Sequence, residues 1–247
     1  MNEDEAFIRA IVDSPGDDTA RLAYADWLDD RSDPRGTYLR AEHEWAATHD
    51  PSERDTLRQL AKTLDPVWVA RISRPPVGVC CDHVRFIERG PVITLHDIAG
   101  VEQRLDGQLS VDFQAFMLNY NGCKPAPACL PYPAAAGPAW ADMDLEMERF
   151  NTASEIETER AFLEELYETG GGVGPNPLIA GMVPFAYTIH DLGYLLVGIG
   201  DGNRGRVYHF RDYCHFSADP AHLFDYTNTF AEFLTRLRPE RETTNLP

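Results

Sequence analysis

Between Val101 and Gly122 the chain reads VEQRLDGQLSVDFQAFMLNYNG, and no other stretch limits the fold as strongly. Phe113, Phe116, Met117 and Tyr120 fall at i, i+3, i+4 and i+7, so they line one face of a helix. Ser110 stands where an N-cap oxygen is needed. Asn121-Gly122 ends the run, because Gly and Asn enter left-handed backbone at little steric cost. A helix with such a face is stable only when the face is buried. Phe230, Phe233, Leu234 and Leu237 repeat the spacing near the other end of the chain, with strand patterns between. The pattern predicts a sheet backed by helices. No catalytic constellation stands out along it, so a binding surface is expected rather than an active site.

The 247 residues suffice for a substantial core and for one or two domains. Hydrophobic residues at 43% and charged residues at 25% are usual for a water-soluble globular chain. No apolar run approaches the ~20 residues of a membrane helix. The first residues, MNEDEAF, are acidic where a secretory leader is basic, so no membrane partner and a cytoplasmic location are expected. Five cysteines (Cys80, Cys81, Cys123, Cys129, Cys214) form no regular framework, as reduced thiols would.

The net charge of −18 is concentrated in two segments. Residues 1–60 hold 15 Asp/Glu against 7 Lys/Arg, and residues 140–170 hold 10 against 2, whereas residues 71–139 balance at 6 against 6. Phosphate backbones would be repelled, which argues against nucleic acid as a partner. A basic protein would be attracted and steered. Plain solubility is the simpler reading of the same charge.

Residues 1–73 read as a helical module. Asn2-Glu-Asp-Glu5 is a capping-box pattern, Asp18 is placed to cap a second helix, and Asp50-Pro51-Ser52 starts another. Asp65-Pro66 is expected to end that run in a short turn holding Trp68. Arg74-Pro75-Pro76 is the predicted boundary, because two prolines resist both helix and central strand. Residues 77–240 then read as a second domain. Residues 83–88 have a strand pattern and residues 97–106 a helical one. Prolines at 125, 127, 131, 133 and 138 predict an irregular loop or edge segment. Ser154-Glu-Ile-Glu157 resembles a capping box and opens an acidic helix with Ile156, Leu163, Leu166 and Tyr167 inward. Strand patterns at 182–188, 194–199 and 206–210 are spaced as an antiparallel meander, closed by a helix over 229–237. The fold class is α+β, helices first and largely antiparallel sheet second.

Several motifs carry residue types that could support chemistry. Asp142-Met-Asp144-Leu-Glu146-Met-Glu148 alternates acid and apolar residues, which fits an edge strand or interface rim better than a metal site. Cys80-Cys81-Asp-His83 and Cys214-His215 carry zinc-type ligands but lack Cys-x2-Cys spacing. Cys214 and His215 also face opposite ways on a strand, which disfavours a Cys–His nucleophile. Gly170-Gly-Gly-Val-Gly174 runs into Pro-Asn-Pro rather than the Gly-Lys-Ser/Thr of a phosphate loop. Asp201–Gly205 lacks the glycine of a calcium loop, since Arg206 occupies that place. Trp140, between a proline-rich loop and an acidic run, is a candidate aromatic anchor for a partner.

Two resemblances cover most of the chain. Ile98-Ala-Gly-Val-Glu102, Leu109-Ser-Val-Asp-Phe113, Phe116 with Asn121-Gly122, FAYTIHDLGYLLVGI, GRVYHF and FAEFLTRL resemble the SUKH superfamily over residues 92–238. That superfamily includes fungal Smi/Knr cell-wall regulators and many bacterial immunity proteins. Its usual Leu-Pro before the second helix is Leu109-Ser110 here, where Ser can still cap. The first 45 residues resemble a bacterial repeat-companion module, through Tyr24-Ala-Asp-Trp27-Leu28 and Asp33-Pro34-Arg35. The SUKH resemblance implies an α+β fold, no catalysis and no cofactor, and a bacterial immunity protein that neutralises a basic, nuclease-like toxin. On that reading Trp140, Asp142, Asp144, Glu146, Glu148, Glu155 and Glu159 meet the partner, the carboxylates standing in for substrate phosphates. The alternative is an intracellular scaffold or adaptor of Smi/Knr type with no toxin.

Overall fold

The computed structural model describes residues 3–74, 83–137, 143–189, 193–211 and 220–239. The chain divides into two compact units, Met1–Asp82 and His83–Pro247.

The first unit has five helices among its described residues: α1 (Glu3–Asp13), α2 (Asp18–Asp29), α3 (Arg35–Thr48), α4 (Pro51–Ala61) and α5 (Pro66–Ile72). Aspartates start three of them. Asp17, one residue before the expected Asp18, accepts from Thr19 N–H, Asp50 from Ser52 N–H and Asp65 from Trp68 N–H. Asp65-Pro66 thus begins a full helix rather than a turn, because proline at the first helical position gives up only an N–H with no helical partner. The Asn2 cap lies outside the described residues.

The Tyr24/Trp27/Arg35 motif is structural. The Tyr24 hydroxyl donates to Asp4 at 2.5 Å and accepts from Trp68 Nε1 and Arg35 at 3.2 Å each. Arg35 also forks onto Asp33. Phe7 stacks on Tyr24 at 5.2 Å. Beneath this network Arg21 and Glu42, with side chains 1% exposed, pair at 2.8 Å. Arg21 also donates to the Ile72 carbonyl, and Glu42 accepts from Arg74 N–H at 2.7 Å. Burial holds the Glu42 carboxyl above its ordinary range although Arg21 opposes the shift. Removing one member strands the other without its counter-charge. We therefore expect Arg21→Met to destabilise this unit by about 3–5 kcal/mol. Arg21→Met with Glu42→Leu should lose less than the two single losses combined, as urea unfolding would show.

The second unit contains β1 (Arg85–Ile87), α6 (Leu95–Leu105), α7 (Val111–Tyr120), β2 (Lys124–Ala126), β3 (Cys129–Pro131), β4 (Asp144–Phe150), α8 (Ala153–Thr169), β5 (Met182–Thr188), β6 (Tyr194–Gly198), β7 (Val207–Phe210), β8 (Leu223–Thr227) and α9 (Phe230–Thr235). β1 pairs with β2, and β3 through β8 form a six-stranded antiparallel meander in chain order. The fold is α+β. The sheet curls: the Tyr226 hydroxyl of β8 donates to the Pro131 carbonyl of β3 at 2.8 Å, and Cys129 bridges to Arg238 after α9.

The predicted apolar faces of α7 and α9 meet. Phe113 and Phe116 lie 4.7 and 5.0 Å from Phe230, ring centre to ring centre, and Phe185 of β5 lies 5.1 Å from Phe233. A second apolar cluster joins Leu163 of α8 to Met182, Tyr194, Leu196, Tyr208 and Phe210 of the strands. Burial of this kind contributes roughly 1.5–3 kcal/mol per large apolar side chain.

Two local expectations change and a third holds. Ser110 occupies the N-cap position of α7, but its hydroxyl bonds the Asp112 carboxylate instead of capping. Asp112 in turn accepts from Ala231 N–H at 2.9 Å, tying the starts of α7 and α9 together. β4 is not an edge strand, because it lies between β3 and β5. Its acid/apolar alternation marks one packed face and one face left open. The proline-rich stretch is an edge segment, as one of its two sequence readings has it: it forms β2 of the two-stranded sheet and β3 at one end of the six-stranded sheet, where Pro125 and Pro131 are tolerated.

The Asn121-Gly122 helix end holds three segments. The Asn121 side-chain amide donates to the Pro91 carbonyl at 2.8 Å, and its oxygen accepts from Ala153 N–H at 2.9 Å. The Asn121 carbonyl accepts from Gly90 N–H at 2.7 Å. Gly122 follows at φ +67°, with no room for a Cβ beside Thr152. Asn121→Ala leaves two polar groups without partners, so unfolding of the second unit should become easier by about 2–3 kcal/mol in denaturant titration. An unchanged midpoint would contradict this role.

Candidate functional site

α8 and β4 carry most of the sequence-predicted acids. The helix starts at a capping box of Thr152 and Glu155, not Ser154 and Glu157: Thr152 N–H donates to Glu155 at 2.7 Å, and Glu155 N–H donates to Thr152 Oγ1 at 3.2 Å. Asn121 holds the next residue, Ala153, and Arg160 donates to the Met182 carbonyl of β5 at 2.9 Å. Ile156 and Leu163 are buried beneath the helix. Leu166 and Tyr167, expected inward, are only half-buried because they lie toward the helix end.

β4 alternates. Leu145, Met147 and Phe150 are buried, while Asp144, Glu146 and Glu148 lie on the other face. Between this face and α8 runs a groove of about 550 Å³. Glu155, Thr158, Glu159 and Phe162 of α8 line one side, at i, i+3, i+4 and i+7. Glu148 of β4 and the cross-strand pair Tyr187–Tyr194 line the other, those two rings meeting edge to face at 5.5 Å. Phe162 is 45% exposed at the rim.

The groove brings together Glu148, Glu155 and Glu159 of the predicted set. Their chemical states differ. Glu155 is committed to the capping box and to Arg149 at 2.7 Å. Asp144 is held by Arg238 at 2.5 Å. Glu146 sits on the same face of β4, and the backbone carbonyl of Glu146 accepts from Ile189 N–H. Glu148 and Glu159 have no ion-pair partner among the described residues. Trp140 and Asp142 lie outside the described residues, as do Cys80, Cys81, Cys214 and His215.

Residue-by-residue reading missed Phe162, Thr158, Tyr187 and Tyr194. The first two carried a visible signal, since they continue the Glu155/Glu159 spacing. The tyrosine pair depends on the register of β5 with β6.

The opposite flank of α8 looks different. A groove of about 570 Å³ lies there, lined by Arg104, Glu157, Arg160 and Glu164. Two of its three acids are neutralised internally, Glu157 by Arg104 at 2.6 Å and Glu164 by Arg160 at 3.8 Å, while Glu168 at the helix end has no ion-pair partner among the described residues. Glu164 also accepts from Asn176 N–H.

Among the described residues no three His, Cys, Asp or Glu side chains gather to hold a metal ion. Cys123 and Cys129 are buried thiols outside any disulfide. Burial pushes the Cys123 thiol far above its ordinary range, which suppresses the reactive thiolate. Gly170 caps α8, and Asp201 pairs with Arg204 within its turn. No helix among the described residues is long and apolar enough to cross a membrane.

The model of the SMI1 / KNR4 family (SUKH-1) matches residues 92–236, more than half of the chain. The chain belongs to the SMI1/KNR4 (SUKH-1) family. No curated protein matches it. The SUKH match begins after β1 and spans α6 through α9, so it includes Asn121, its contact with Ala153, and both walls of the β4–α8 groove. At the level of the family this is a protein-binding domain of the immunity type, and its members are generally non-catalytic.

The two kinds of acid should separate by stability. Glu155→Ala removes a cap and an ion pair and should lower stability by about 1 kcal/mol. Glu159→Ala should stay within about 0.5 kcal/mol of the parent chain. Thermal unfolding of both variants checks the distinction, and equal losses would contradict it.

Proposed function

We propose that this SUKH protein is a non-catalytic inhibitor that binds a basic, nuclease-like toxin domain in the cytoplasm through the open face of β4 and the adjoining flank of α8. The supporting observation is the pair of carboxylates, Glu148 and Glu159, that share one groove without a counter-ion among the described residues. An acid already paired inside its own protein contributes little field. An unpaired one attracts a cation and steers encounter. Glu146 lies on the same face of β4. A stable complex buries about 1,600 Å² in total, so surfaces beyond the groove must also take part. The buried, disulfide-free Cys123 and Cys129 agree with a reducing compartment.

The test is co-expression with toxin-like proteins encoded beside this chain in its genome. Growth should be rescued, and a complex should form with each rescued toxin. Glu148→Lys with Glu159→Lys should slow association about ten-fold at low salt and flatten its salt dependence. Absence of rescue and of complex with every neighbour would contradict the reading. Tight binding unchanged by both reversals would remove its electrostatic part.

A further inference from the structure

We propose that the β4–α8 groove is an anchor site for one arginine side chain on an extended basic segment of the partner. This rests on the reading above that the face meets a basic protein, and it names the feature of that protein that is gripped.

The groove has the two things a guanidinium needs. The first is an aromatic wall. Phe162 of α8 lines the groove with nearly half its surface in water, Tyr187 is half-buried opposite it, and the buried Tyr194 backs Tyr187 edge to face from the next strand. The exposed Phe162 ring offers a face that attracts a cation, and arginine stacks on such a face better than lysine does. The second is a carboxylate on each bank. Glu148 stands on β4 and Glu159 on α8, both lining the same groove. A planar fork of N–H donors can bond carboxylates on two sides while its flat face lies on a ring.

The cation already present does not fill this role. Arg149 lines the groove but is tied to Glu155 at 2.7 Å, so the two cancel and leave Glu148 and Glu159. The flank beyond α8 gives an internal comparison. It has a groove of similar volume, yet Arg104 and Arg160 hold two of its three carboxylates, Glu157 and Glu164, leaving only Glu168, and the residues lining it include no aromatic ring. The volume of about 550 Å³ falls in the range of pockets that take small ligands and exceeds what one side chain fills. The occupant is therefore a short stretch of chain, with its arginine against Phe162.

The experiment follows backbone amide signals of the full chain while acetyl-Gly-Arg-Gly-amide is added. Matched peptides carry lysine or the neutral isostere citrulline. Arginine should shift the amides of Glu148, Thr158, Glu159 and Phe162 saturably. Lysine should bind several-fold more weakly, and citrulline should leave the spectrum unchanged. Phe162→Ala and Glu159→Gln should each weaken arginine binding about five-fold. Glu165→Gln, also on α8 but not among the residues lining the groove, should not. Unaltered thermal unfolding of each variant shows that folding is intact. Shifts scattered over the acidic surface, an equal response to citrulline, or an equal loss in Glu165→Gln would overturn the proposal. If a basic toxin binds Phe162→Ala and Glu159→Gln as tightly as the parent, the arginine anchor fails while the acidic-face reading stands. If arginine binds in the groove but no basic toxin binds the chain, the reverse holds.

Discussion

The second unit depends on one buried amide. Asn121 ends α7, and its side chain reaches the Pro91 carbonyl on one side and the first N–H of α8 on the other. Gly122 then turns the chain where no side chain fits, and Cys123 accepts from Phe150 N–H at the end of β4. One dipeptide thus fixes the end of β4 and the start of α8 together. Those are the two walls of the groove. An amide suits the place because it donates and accepts at once, which neither a carboxylate nor an aliphatic side chain does.

Much of this was legible in the sequence because helix signals are local. The α7 and α9 stripes, the Asn-Gly stop and the strand at 182–188 need only spacing and backbone chemistry to be seen. Capping was legible in kind but less in place. Thr152 rather than Ser154 caps α8, because Asn121 sets where the helix starts, and that contact spans 32 residues. The β4 alternation fits an edge strand or an interface rim equally, because it reports one open face and says nothing of neighbours on either side. β8 went unread, since Leu223–Thr227 becomes a strand by pairing with β7. The groove was half legible. Its acids stood out as a charge run, while Tyr187 and Tyr194 meet across it only through strand register.

Charge alone does not separate the two flanks of α8, since both are acidic in composition. Pairing separates them. Arg104 and Arg160 take up Glu157 and Glu164 on one flank and leave only Glu168, whereas Arg149 takes up Glu155 on the other and leaves Glu148 and Glu159. Exposed ion pairs add little stability, so such pairs matter here mainly for what they leave unpaired. The acids of the first unit follow the same rule. Asp4, Asp33, Asp26 and Asp29 are taken up by Arg35 and Arg40 as scaffolding. A high net charge therefore concentrates its usable part in the few carboxylates that the fold does not consume.

The most direct measurement is a structure of this SUKH chain bound to its protein partner. The account places the partner over the β4–α8 groove, with Glu148, Glu159 and Phe162 buried beneath it. A partner seated on the Arg104–Glu157 flank, with those three side chains left in water, would contradict it.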